Sequence, residues 1–142
     1  MKPILKNILA VIAGVIAGSL VNIGIIMIGV ALVPVEGCGG ISMFTPEYME
    51  CLASAMPNFK FVNFIAPLLA HALGTLVGAF VTAKIASSYS KWLALLIGVW
   101  FLIGGVSAIM DLGGPAWFKV VDLGLAYIPM ALLGWKLSGK KA

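Results

Sequence analysis

Four apolar runs, at 4–33, 61–83, 92–110 and 115–137, set the terms for this chain, because a helix of about 20 apolar residues is what a hydrocarbon core requires. The chain is 62% hydrophobic and 10% charged over 142 residues. A soluble domain carries about a quarter charged residues, and a small one leaves much of its surface wet. No water-soluble fold of this size has an interior large enough for these runs. The expected fold is therefore all-α: a polytopic membrane protein whose single domain, 1–142, is an antiparallel four-transmembrane-helix bundle. One extracytoplasmic loop, 34–60, is expected to carry a short helix.

The links between the later runs are short, at 84–91 and around Asp111, Gly113 and Gly114, which forces neighbouring spans to run in opposite directions. The first run follows Lys2 and Lys6 as a secretory signal would. It stays apolar as far as Val33, well past the roughly 7–15 residues of a signal's apolar region, so it is expected to remain as a span. An internal repeat is not evident beyond shared glycines.

Charge gives an orientation. Lys2, Lys6, Lys84, Lys91, Lys136, Lys140 and Lys141 fall on one side with no acid among them. Glu36, Glu47, Glu50 and Asp111 fall on the other, with Lys60 and Lys119. Lysine bias places the first side, and both termini, in the cytoplasm, with 34–60 periplasmic or extracellular. Aromatic residues mark the same levels: Tyr89, Trp92 and Trp135 inside, Phe59, Phe61, Trp117 and Phe118 outside. The formal charge of +4 is spread over these flanks rather than gathered in a basic stripe, so the expected partner is a lipid bilayer and not nucleic acid.

The outer loop holds both cysteines, Cys38 and Cys51. In an oxidising compartment a disulfide is the default reading; two free thiols are the alternative, and a metal site would need further ligands. Thr45 is placed to cap a helix starting at Pro46, with Glu47 at its positive end. Met49, Leu52, Ala53 and Met56 then share a face.

In lipid, helices associate by close packing and interhelical hydrogen bonds, so small residues are expected at contacts. Gly14 and Gly18, Gly74 and Gly78, and Gly98 and Gly105 are the candidates. The same faces would also serve a homo-oligomer or docking into a larger membrane complex.

The residues that lipid tolerates least are Asn22, His71, Asp122 and Tyr127, which form the expected intramembrane polar site. At about 1.5 Å rise per residue His71 lies about 15 Å, and Asp122 about 10 Å, below the outer ends of their spans. His71 shares a helical face with Pro67, Gly74, Thr75 and Gly78 and is expected to point into the bundle as a hydrogen-bond donor, proton carrier or metal ligand. Asp122 is either a functional carboxylate or a structural acid paired with Lys119 or Tyr127. Pro67 and Pro129 each free a backbone carbonyl one turn earlier, at Asn63 and Leu125.

No CxxC, HExxH, GxSxG or GxxxxGK[ST] motif is present, and a lone histidine does not make a protein-only metal site. No cofactor or catalysis is expected. Three roles remain: a transport or channel-like unit with a polar path at His71 and Asp122, a non-catalytic accessory subunit, and a lipid- or quinone-binding protein using an outer cavity near Trp117, Trp100 and His71.

The stretches Ala70-His71-Ala72-Leu73-Gly74-Thr75-Leu76-Val77-Gly78-Ala79 and Asp122-Leu123-Gly124-Leu125-Ala126-Tyr127-Ile128-Pro129-Met130, with Asn22 and Gly24, resemble those of small uncharacterised four-span bacterial inner-membrane proteins. The resemblance covers most of the chain and implies a bacterial source and a place in the inner membrane. It further implies that His71, Asp122 and Tyr127 belong to recognisable motifs, and it brings no activity with it.

Overall fold

Pro3 occupies the first turn of α1 (Pro3–Leu32), where its missing N–H costs nothing, and Pro34 just beyond the other end prevents continuation. The computed structural model describes residues 2–142, and every regular element among them is helical. After α1 come the loop helix α2 (Pro46–Ala55), a 3₁₀ turn at Met56–Asn58, α3 (Phe61–Ile85), α4 (Ser90–Leu112), α5 (Ala116–Leu125) and α6 (Ile128–Leu137). Four helical stretches are long and apolar enough to cross a membrane: Pro3–Leu32, Phe61–Ile85, Ser90–Leu112 and Ala116–Leu137.

The fourth stretch is not one straight helix. It breaks between α5 and α6 at Ala126 and Tyr127, because Pro129 has no N–H to offer the Leu125 carbonyl. Pro67 removes the same bond from α3, which nevertheless runs unbroken past it.

Helix α3 is central, touching α1, α4, α5 and α6. Its contact with α1 is nearly backbone to backbone. A Cβ added at Gly14 would lie 2.6 Å from the Gly78 carbonyl oxygen, and one at Gly18 would lie 2.6 Å from that of Gly74. Residue numbers thus rise along α1 as they fall along α3, and Gly29 meeting Ala66 continues the register. Thr82 adds a hydrogen bond to the Ala10 carbonyl at 3.2 Å. On the other face of α3, a Cβ at Gly134 of α6 would lie 2.5 Å from the Leu76 carbonyl oxygen. Ala79, Ala83, Ala94, Ile97 and Ala131 fill the interior between these contacts.

Each end of the molecule is tied by polar bonds or rings. At one, Asn7 accepts from the Ser87 N–H at 3.0 Å and donates to the Ser88 hydroxyl at 3.0 Å. There also Lys84 donates to the Ser138 carbonyl, Lys140 to that of Ala86 and Ser90 to that of Lys141. Trp135 joins the same end, its indole N–H donating to the Ser90 hydroxyl at 3.2 Å. At the opposite end Phe61 stacks on Trp117 at 5.3 Å, and Phe64 packs on Phe118 at 4.9 Å. The turn between α4 and α5 uses Gly113 (φ 77°) and Gly114 (φ 108°), a backbone shape that side chains with a Cβ rarely adopt.

Replacing Gly78 by Val is expected to cost about 1–3 kcal/mol, since its Cβ would meet the Gly14 carbonyl oxygen at 2.8 Å. Gly24→Ala, where nothing lies within 4 Å, is expected to be neutral. Thermal unfolding of both variants in detergent checks this, and equal midpoints would refute the close-packed register.

Candidate functional site

The polar residues at depth come from two spans that face each other. On α3, His71 sits one turn before Thr75, whose hydroxyl donates to the His71 carbonyl at 2.7 Å. On α5, Asp122 has no exposed surface at all. His71 Nδ1 and Asp122 Oδ1 are 2.8 Å apart, and the Tyr127 hydroxyl donates to Asp122 Oδ2 at 3.0 Å. A buried carboxylate is tolerable only with such partners, and here both oxygens have one. With Asp122 ionised, the Nδ1–H of His71 donates to it, and Nε2 is left as the ring's outward atom.

Tyr127 reaches Asp122 because the fourth span breaks. In a continuous helix residues five apart point about 140° away from each other. The interruption at Ala126 and Tyr127 turns the phenol back over α5. Gly105 of α4 provides the space, since a Cβ there would collide with the Tyr127 hydroxyl. Gly98 plays a similar part lower down, where a Cβ would lie 2.7 Å from that of Ala131.

Three of the four polar residues singled out in the sequence are thus joined, and Asn22 is not. Its Cβ packs on Gly74, and its side chain has no hydrogen bond among the described residues. Nor does Lys119 pair with Asp122, whose ion-pair partner is His71.

Beyond the triad, toward the 34–60 loop, lies a cavity of about 530 Å³ between α1, α3 and α4, with α2 across its end. Its walls are almost wholly apolar, from Ile25, Gly29, Ala66, Ala108, Ile109 and Leu112, with His71 as the imidazole in them. Neither Trp117 nor Trp100 lines it, so the ring-flanked cavity anticipated from the sequence lies instead under the loop helix.

The loop helix forms as its local sequence dictates. Thr45 accepts from the Tyr48 N–H, Pro46 takes the first turn, and Met49, Leu52 and Met56 face the cavity. The Glu47 carboxyl is held below its ordinary value by a backbone N–H and the Thr45 hydroxyl. Cys38 and Cys51 are paired at disulfide distance, their Cα atoms 5.8 Å apart, which binds the start of the loop to α2.

Tyr48 escaped the sequence reading. It is the most buried residue of α2, it lines the cavity, and its hydroxyl is buried with no partner among the described residues. Burial pushes its phenol up, so it remains a neutral donor. The only sequence signal was an aromatic residue three positions after a helix cap.

Among the described residues no three His, Cys, Asp or Glu side chains come together. No family model, curated protein or solved structure matches the chain.

Tyr127→Phe is expected to lower stability by about 0.6–1.7 kcal/mol, the range for an interhelical hydrogen bond in a membrane. Asp122→Ala, which strips two partners, is expected to cost more. Denaturant titration in mixed micelles measures both; a neutral Asp122→Ala would mean the triad contributes nothing to the fold.

Proposed function

We propose that this chain is a four-span bacterial inner-membrane protein that binds a lipophilic small molecule in the cavity beneath its outer loop. The observation that carries the reading is the combination of a 530 Å³ apolar cavity and one imidazole in its wall, backed by a buried carboxylate. Ligand cavities are of this size and composition, apolar with a few placed polar groups. The spans form an antiparallel bundle with both termini cytoplasmic and 34–60 outside. In support, the lysine-rich segments are bonded together at one end, and the loop with its cysteine pair lies at the other.

Conduction along a polar path has less support. Asp122 is fully buried with both oxygens bonded, and the cavity walls offer few polar groups to a hydrated ion. Binding needs no such path. Large side chains exposed on α1 and α4, such as Ile12, Ile16, Trp100 and Ile103, are suited to lipid contact.

Ala108→Trp would place an indole inside the cavity. Native mass spectrometry of the protein extracted from its own membrane is expected to show a retained lipophile that this variant lacks; identical spectra would sink the binding role. Impermeant labelling of intact cells is expected to miss a tag placed after Ala142 and to reach one placed in 34–60. Labelling of the C-terminal tag would overturn the orientation.

A further inference from the structure

The structure assigns the cavity to a neutral lipophile headed by a hydroxyl or carbonyl oxygen, with that oxygen on His71 Nε2. This rests on the binding reading above and narrows it to a ligand class. Three observations select the head group. First, His71 uses Nδ1 on Asp122, so Nε2 is the ring's polar atom left for an occupant, an acceptor for a hydroxyl when the ring is neutral and a donor to a carbonyl when it is protonated, while Asn63, the other polar side chain near the loop end, has its carbonyl oxygen taken by the Lys60 N–H. Second, no lysine lines the cavity, and a carboxylate or phosphate head would add a negative group beside the His71 and Asp122 pair. Third, an ammonium head would find no free carboxylate, because Asp122 is without exposed surface and both its oxygens are bonded. Charged heads of either sign are thereby disfavoured.

The body of the ligand follows from the walls. The α3 lining runs from Val62 to His71, which corresponds to about 14 Å of helix at about 1.5 Å per residue. That depth takes a chain of roughly a dozen carbons or an aromatic ring with a short tail, by the same rise per residue. At the loop end the Tyr48 hydroxyl is buried and has no surface open to an occupant, so the selection of the head group falls to His71.

The chain has a single histidine and a set of cavity methionines, which separates two questions in one experiment. The protein, labelled with ¹⁵N-histidine and ¹³C-methyl methionine, is titrated in detergent with dodecan-1-ol, dodecane and dodecanoate. Dodecan-1-ol is expected to shift the Met49 and Met56 methyls and the His71 Nε2 signal saturably and together. Dodecane and dodecanoate are expected to bind about tenfold more weakly, the factor one unsatisfied buried hydrogen bond produces, with dodecane leaving Nε2 unmoved. Tyr48→Phe, a change too small to unfold the loop, is expected to leave the preference for dodecan-1-ol over dodecane unchanged, because the alcohol's one oxygen lies on His71; loss of that preference would overturn the assignment to Nε2. Equal affinities for the three compounds, or methionine shifts without a response at Nε2, would overturn the head-group assignment while leaving the binding role intact. If none of the compounds saturates the methionine signals, the binding role itself falls.

Discussion

The contact between α1 and α3 is the constraint from which the rest of the architecture follows. In lipid, a leucine gains little by leaving one apolar neighbour for another, so two helices stay together only where their backbones come close enough for dense packing. Gly14, Gly18, Gly74 and Gly78 allow that approach, and Thr82 adds a hydrogen bond across it. With α3 fixed on one side, its opposite face must receive the remaining spans, and Gly134 lets α6 approach as closely there. Helix α3 thereby becomes the axis on which His71 is presented to the fourth span.

The triad depends on an irregularity that a regular bundle would lack. A carboxylate without exposed surface needs a partner for each oxygen, and α3 supplies only one. The other comes from the same span, and it reaches back only because the helix is interrupted just after α5. Pro129 causes the interruption and Gly105 makes room for its consequence. One residue therefore acts on the site by removing a donor and the other by lacking a side chain. Neither touches the carboxylate.

This division explains what was legible in the sequence. The spans, the α2 cap and the four glycines of the α1 and α3 contact were all visible, because each rests on local pattern or on spacing within one helix. Helical rise could also be read, and it put His71 about 15 Å and Asp122 about 10 Å from the ends of their spans. What spacing cannot give is the rotation of one helix about its axis relative to another. Lys119 stands at a suitable interval from Asp122 along α5, yet the partner lies 51 positions away on α3. Tyr48 was missed for a related reason: the helix that carries it packs on α4, more than thirty positions along the chain, and no short window contains both. Gly134 passed unnoticed because it has no second glycine four residues away to mark a face. Asn22 shows the converse, a polar residue at the right level that faces Gly74 and stays outside the triad.

The cavity is best understood as the unfilled end of a bundle that is drawn together elsewhere. Glycine contacts pull α1 onto α3 and α6 onto α3 deep in the structure, whereas α1 and α4 touch little. Toward the outer surface the space between α1 and α4 is left for α2 to cover, and the cysteine pair holds the start of the loop to that helix. A space with walls this apolar fits apolar matter of many kinds. Occupancy alone would therefore carry little information about the protein. What distinguishes this space is its polar equipment: an imidazole whose other nitrogen is already committed to Asp122. Among apolar walls that group favours an oxygen over a methylene, and the fold keeps it in place at the cost of burying a carboxylate behind it.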